Sequence, residues 1–114
     1  MRIPTELRVK ALIRRCSSAG VAAVIVRTGD ADAGMLFIKI RLLDGTAKLL
    51  GPAPAGLSLD ASPDDGLPRL APHLDVNGTA EATVDAYMMR QTEYDPDLWL
   101  VEIDDRKGRS FLED

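Results

Sequence analysis

The sequence has 114 residues and a net charge of −4, a length that suits one domain, 1–114, and leaves little room for a second core. Aromatic residues make up only 4% of it, which disfavours nucleic-acid-binding modules that stack bases on aromatic side chains. A single cysteine allows no internal disulfide. Since the sequence contains neither a secretory signal nor a run of about 18 apolar residues, we expect a cytoplasmic protein without a membrane partner.

The charges are unevenly distributed along the chain. Residues 1–50 carry an excess of five positive charges, whereas residues 51–114 carry an excess of nine negative charges. Two oppositely charged surfaces would suit an anionic partner at the first of them. The simpler interpretation, which we favour, is that the two halves interleave in one fold and neutralise each other.

Residues 5–19 are predicted to form an amphipathic helix with Thr5 as its N-cap and Gly20 just after its end. Its apolar face consists of residues at helical spacing: Val9, Leu12, Ile13 and Cys16. Since Cys16 belongs to this face, we interpret it as a buried structural thiol rather than a reactive one.

The opposite face of this helix is basic and is the candidate anion-binding site. It consists of Arg8, Lys10, Arg14 and Arg15. Binding of nucleic acid through these side chains is one hypothesis. A solvated helix face is the commoner explanation of such a pattern, so nucleic acid is an unfavoured partner that the sequence does not exclude.

Three strands are predicted next, as a meander. Residues 21–27 are almost wholly apolar, which is typical of a central strand covered on both faces. Residues 35–43 alternate, with Phe37, Lys39 and Arg41 on the polar face of a half-exposed strand. Asp44-Gly45 favours a type I′ hairpin turn into a strand at 46–50.

Residues 51–78 are rich in proline and glycine and are predicted to form a long loop, with a short edge strand between Leu67 and Leu74. His73 lies in this segment and is interpreted as a solvated loop residue. No second histidine accompanies it, so neither a metal site nor a catalytic triad is predicted there.

A second helix is predicted at 79–92, with Thr79 as its N-cap and Asp95-Pro96 after its end. A strand at 98–103 and a short final strand at 110–112 would form a hairpin. The sequence therefore predicts an α+β fold in the order α-β-β-β-α-β-β. We expect both helices on one face of a mainly antiparallel sheet of four to five strands.

The polar residues around the end of the second helix form the candidate binding site. They are Arg90, Gln91, Asp95, Asp97, Trp99 and Glu102. Carboxylates on a rigid turn beside an indole could hold a divalent cation or a basic group. The structural alternative is that Asp95 and Pro96 end the helix, Asp97 pairs with an arginine such as Arg90, and Trp99 fills the core. No phosphate-binding glycine motif occurs, and no cofactor or metal is predicted.

Three segments resemble the small alphaproteobacterial family catalogued as domain of unknown function 1491. They read PTELRVKALIRRC, LDGTAKLLGPAP and YMMRQTEYDPDLWLVEIDDRKGRSFLED. The resemblance covers nearly the whole chain apart from about residues 57–77, and Tyr94 replaces a phenylalanine that many relatives have. It implies a stand-alone, cytoplasmic, uncharacterised domain, and it implies no activity and no catalytic residue.

The leading hypothesis is a non-enzymatic binding or protein-interaction domain. A polar outer sheet face that includes Phe37, or an edge strand, could pair two copies into a homodimer. The alternatives are a small enzyme, or ligand or metal binder, that uses the cluster from Arg90 to Glu102, and nucleic-acid binding through the first helix.

Overall fold

The computed structural model describes residues 3–53 and 70–112, which form two helices and six strands. The helices are α1 (Thr5–Ser18) and α2 (Glu81–Tyr94). The strands are β1 (Ala23–Arg27), β2 (Leu36–Arg41), β3 (Thr46–Pro52), β4 (Leu70–Pro72), β5 (Thr79–Ala80) and β6 (Trp99–Asp104). The predicted α+β class is confirmed, and the sheet has six strands rather than four or five because two very short strands, β4 and β5, join it.

The sheet has the order β1-β6-β2-β3-β4, and β5 pairs with the start of β3. It is mixed, since β6 runs parallel to β2 while the other pairings are antiparallel. The predicted meander is therefore interrupted: β6 lies between β1 and β2. A central position suits β6 because it has buried apolar side chains on one face and Leu100 packed into the core of the other.

The two helices cover opposite faces of the sheet, and not one face as the sequence suggested. Apolar side chains of α1 pack on the face formed by Leu36, Ile38 and Ile40. Val84 and Met88 of α2 pack on the other face, together with Phe37. The predicted polar, half-exposed face is thus covered by α2, and both Phe37 and Lys39 are buried.

The hairpin between β2 and β3 is confirmed, although its turn differs from the predicted type I′. The connection spans residues 43–45, and the amide of Leu42 donates to the carbonyl of Thr46. Positive φ angles occur at Leu43 and Gly45 and not at Asp44, whereas a type I′ turn needs them at both central residues. Asp44 instead accepts hydrogen bonds from the amide and hydroxyl of Thr46.

The strand β1 lies at the edge of the sheet and is not the covered central strand that its apolar sequence suggested. It pairs with β6 on one side, and three of its side chains in succession are largely exposed. A run of apolar residues predicts a strand, but it does not supply a neighbour for both edges. Here the long-range insertion of β6 leaves β1 outside.

Several element boundaries differ from the predictions. Residues 110–112 form no strand, and Arg15 instead donates hydrogen bonds to the carbonyls of Phe111 and Leu112. Thr5 is the first residue of α1 and Thr79 belongs to β5, so neither is an N-cap. In the predicted loop, Leu70–Pro72 forms the expected edge strand β4, while 54–69 lie outside the described residues.

Candidate functional site

The most unusual side chain of the fold is Lys39, which is 4% exposed in the middle of the sheet. Alternation along β2 directs it to the face that α2 covers. Its ammonium Nζ lies 2.9 Å from Asp85 Oδ1, 3.1 Å from Glu81 Oε1 and 3.4 Å from Glu102 Oε2. One ammonium therefore faces three carboxylates, two of them from α2 and one from β6.

The protonation of this group follows from its surroundings. Burial by itself lowers the pKa of Lys39, but hydrogen bonds to Asp85 and Glu81, with the charges of Asp85 and Glu102, outweigh burial and raise that pKa. The hydrogen bond from Lys39 lowers the pKa of Glu81 despite the opposing effect of desolvation. Lys39 is thus a charged ammonium at neutral pH and is unsuited to act as a nucleophile.

Arg41 extends the charged cluster along β2. Its Nε lies 3.0 Å from Glu81 Oε1, and its Nη1 lies 3.2 Å from Asp104 Oδ1. Among these linked side chains, which we call the Lys39 network, two cations face four carboxylates. The members are Lys39, Arg41, Glu81, Asp85, Glu102 and Asp104. The network therefore carries an excess of two negative charges.

A groove of about 620 Å³ opens beside the network, between α2 and the strands β1 and β6. Its polar lining includes Lys39, Asp85 and Glu102, and its lining residues from β1 are Val26 and Arg27. The remaining lining residues are Met88, Met89, Thr92, Glu93 and Leu100. The groove thus combines apolar walls with carboxylates, and we call it the Lys39 groove.

The six residues of the predicted binding cluster are not brought together. Glu102 reaches the Lys39 groove, whereas Trp99 packs on the opposite face and its indole Nε1 donates to the carbonyl of Asp30 at 2.7 Å. Asp97 is exposed, and its amide donates to Asp95 Oδ1. Its expected ion pair with Arg90 is not formed: Arg90 lies over the ring of Tyr87, 6.0 Å from its centroid.

Gln91 and Asp95 line a smaller pocket of about 230 Å³, next to His73 and Phe37. His73 is no solvated loop residue: its Nε2 lies 2.8 Å from the carbonyl of Pro52, and its Nδ1 lies 2.6 Å from the hydroxyl of Tyr87. A carbonyl can only accept, so Nε2 carries the proton and Tyr87 donates to Nδ1. Burial raises the pKa of Tyr87 more than Arg90 lowers it. His73 therefore ties β4 to α2.

The basic residues of α1 do not form an isolated patch. Arg15 is occupied by the two carbonyls of the C-terminal segment, and Lys10 lies 3.9 Å from Glu6. Arg14 is exposed. Arg8 is half-buried and has an interaction partner. Anion binding at α1 remains an untested hypothesis, and Cys16 behind it is buried, with a pKa raised by that burial.

The described residues hold no group of three or more His, Cys, Asp or Glu arranged to bind a metal ion. Within the same ranges, no helix is long and apolar enough to cross a membrane. The sequence did not predict Lys39 as a site residue. A lysine between Ile38 and Ile40, in a strand whose other residues before Arg41 are apolar, was the available signal.

The family model described as "Protein of unknown function (DUF1491)" matches residues 3–113. The chain belongs to the DUF1491 family. A comparison with curated proteins found no match. The family assignment confirms the resemblance seen in the sequence and carries no activity with it.

Solved structures of similar proteins share the fold. A crystal structure of a DUF1491 family protein from Caulobacter crescentus is 36% identical, with a TM-score of 0.76, over 97% of this chain and 94% of that one. An NMR structure of a DUF1491 family protein from the same organism is 38% identical, with a TM-score of 0.78, over 100% and 96%. A solution structure of an A. tumefaciens protein is 36% identical, with a TM-score of 0.74, over 91% and 86%.

Proposed function

We propose that this DUF1491 protein is a non-enzymatic interaction domain that pairs with a second copy of itself along the outer edge of β1. The observation that carries the proposal is the exposure of Val24, Ile25 and Val26, which are 55%, 44% and 53% exposed. In the part of the chain that the structure describes, no strand pairs with this edge. Proteins usually protect such edges with charges, proline or a bulge. In β1 the irregularity in register and the charge both come at its end, between Ile25 and Arg27, and the strand is regular and uncharged before them.

The backbone of β1 can accept a further strand. The amide of Asp104 donates to the carbonyl of Ala22, and hydrogen-bonded pairs alternate along an antiparallel ladder. With the register that opposes Ala23 to Ile103 and Ile25 to Val101, the main-chain groups of Ala23 and Ile25 point away from β6. Their amides and carbonyls are therefore available to a partner strand.

A second copy is the partner that this edge suits best. Residues 21–26 contain no charge, so antiparallel pairing of two β1 strands opposes apolar residues and brings no like charges together. Such pairing is isologous and closes at two copies. It would bury the exposed valines and the isoleucine from both protomers and continue the sheet across the dyad.

The test is the oligomeric state in solution, measured by sedimentation equilibrium at micromolar concentrations. We expect a dimer for the parent protein and a monomer for Val24→Lys, which places one lysine from each protomer within the paired strands. Val76→Lys is the matched control, because Val76 is 57% exposed outside the sheet and should leave the dimer intact. A parent protein that is monomeric throughout would overturn the proposal, provided that circular dichroism shows all three proteins folded.

The proposal includes a cytoplasmic location. Support comes from the sequence, whose single cysteine contrasts with the disulfide-rich composition of many small secreted domains. Fractionation of cells that express the protein tests this part separately.

A further inference from the structure

We propose that the Lys39 groove binds a small organic cation, in which an ammonium or guanidinium group is carried on an apolar body. This site lies on the α2 face of the sheet, and Val26 is the one residue of its lining that the proposed pairing along β1 also uses. It therefore goes beyond the proposed self-association, and each proposal can fail without the other.

The carboxylates of the groove can accept more hydrogen bonds than Lys39 donates. An ammonium has three N–H donors, and Lys39 directs its Nζ to three carboxylates, so its donors are used up. Asp85 and Glu102 make ion pairs only with Lys39 among the described residues. Because each carboxylate can accept about four hydrogen bonds, the groove presents free acceptors there and selects a ligand that donates.

The carboxylates of the groove are negatively charged and accessible to a ligand. The Lys39 network has two more negative than positive charges. Its second cation, Arg41, pairs with Glu81 and Asp104 and not with Asp85 or Glu102. The side chains of Asp85 and Glu102 are 60% and 26% exposed, so a ligand can reach both. Glu93 adds a further carboxylate to the lining. Arg27 also lines the groove and keeps its positive charge, because its Nη2 donates to the neutral carbonyl of Pro96. Counted over the lining alone, three carboxylates face two cations, which leaves an excess of one negative charge.

The size and the apolar walls of the groove suit the apolar body of such a ligand. The groove volume of about 620 Å³ lies in the range of sites for small molecules. Val26, Leu100, Met88 and Met89 supply apolar walls, and unbranched methionines adapt to ligands of different shape. A hydrocarbon chain could lie along these side chains while its charged end meets Asp85 and Glu102.

The test uses three probes of equal length: hexylamine, which is an ammonium at neutral pH, hexanol and hexanoate. Binding is followed by calorimetry and by the NMR signals of the Met88 and Met89 methyl groups. We expect saturable binding of hexylammonium that shifts both signals, binding of hexanol weaker by about tenfold, since a charged hydrogen bond contributes about 1.5 kcal/mol or more, and no binding of hexanoate.

Variants locate the site. Asp85→Asn and Glu102→Gln should each weaken hexylammonium binding about tenfold, while both keep an acceptor for Lys39. Glu6→Gln, on α1 at the opposite face, is the matched control and should bind like the parent. The proposal is overturned if hexanol or hexanoate binds as tightly as hexylammonium, or if the groove variants leave binding unchanged.

Discussion

The ammonium of Lys39 lies 2.9 Å from the carboxylate of Asp85, across the contact between the middle of the sheet and α2. A lone charge at this depth would destabilise the fold. The carboxylates of Asp85, Glu81 and Glu102 compensate it, so this charged contact sits inside an otherwise apolar interface. It also fixes the position of α2 along the sheet, since two of the three carboxylates lie one turn apart on that helix.

Replacing Lys39 with methionine should lower the free energy of unfolding by about 3 kcal/mol, because the substitution leaves Asp85 and Glu102 without a cation and Glu81 with Arg41 alone. The loss falls at the lower end for buried ion pairs, since Asp85 keeps access to water. Urea denaturation at pH 7 measures it.

The control for this substitution is Lys10→Met. Lys10 is 63% exposed and lies 3.9 Å from Glu6, so its loss should change the stability by no more than about 0.5 kcal/mol. Adding Asp85→Asn to Lys39→Met should restore part of the loss by relieving repulsion. Equal stabilities of Lys39→Met and Lys10→Met would contradict the role assigned to the Lys39 network.

Stability should fall in acid. The hydrogen bond from Lys39 lowers the pKa of Glu81, and the hydrogen bond from Arg109 lowers the pKa of Asp105, from ordinary values of 4.5 and 3.8. A carboxyl with a lowered folded-state pKa stabilises the fold above its unfolded pKa and loses that effect as the pH falls through the folded value. The raised pKa of Lys39 contributes stability that is fully present below 10.5 and is lost only at higher pH, so it adds no pH dependence in this range.

The free energy of unfolding, measured between pH 7 and pH 3, should therefore decline below about pH 5. Asp105→Asn should be less stable than the parent protein at pH 7, because Asp105 is buried and bound to Arg109. This difference should shrink as the pH falls through the lowered pKa of Asp105 in the folded parent protein. Parallel pH profiles of the two proteins would show that Asp105 is not one of the groups responsible.

The pair of His73 and Tyr87 predicts a difference between the two tyrosines. Tyr87→Phe removes the donor to His73 Nδ1 and should cost about 1 kcal/mol. Tyr94→Phe, at a residue that is 85% exposed, should cost nothing measurable. Urea denaturation compares the variants, and nitrogen chemical shifts should show the proton of His73 on Nε2. A proton on Nδ1 would refute the assigned hydrogen bonds.

Gly29 should not tolerate a side chain. A Cβ at this position would collide with the backbone carbonyls of Asp97 and Leu98, and this backbone is held in place because the amide of Asp30 donates to the carbonyl of Asp97. Gly29→Ala should therefore destabilise the fold by about 2 kcal/mol or more. Thr28→Ala, at the exposed neighbour, should stay within about 0.5 kcal/mol. A thermal melt of both variants distinguishes the two results.

Local patterns in the sequence predicted local structure well. Alternation correctly placed Leu36, Ile38 and Ile40 on one face of β2, and Asp44-Gly45 marked the hairpin. The same pattern wrongly predicted that Lys39 lies on a solvent-exposed face, because lysine side chains are normally exposed. Its partners Glu81 and Glu102 lie more than forty residues away along the chain, and no local window contains them.

Long-range pairing explains the remaining differences. The exposure of β1 depends on β6, which occupies the position next to β2 that a meander would have given to β1. The alternation in β2 could not show that α2 would cover its second face. The sequence therefore predicted both helices on the same face of the sheet. The role of His73 could not be predicted from neighbouring residues, because its hydrogen-bond partners Pro52 and Tyr87 belong to two other elements.

The insertion of β6 between β1 and β2 has a consequence for protein synthesis. A ribosome makes β1 and β2 well before β6, and these two strands lie on either side of β6 and are not neighbours of each other. Until residues 99–104 leave the exit tunnel, no strand of the described residues can pair with the apolar strand β1. The nascent protein thus carries an open strand edge while residues 28–98 are made, and β6 then joins β1 to the other strands of the sheet.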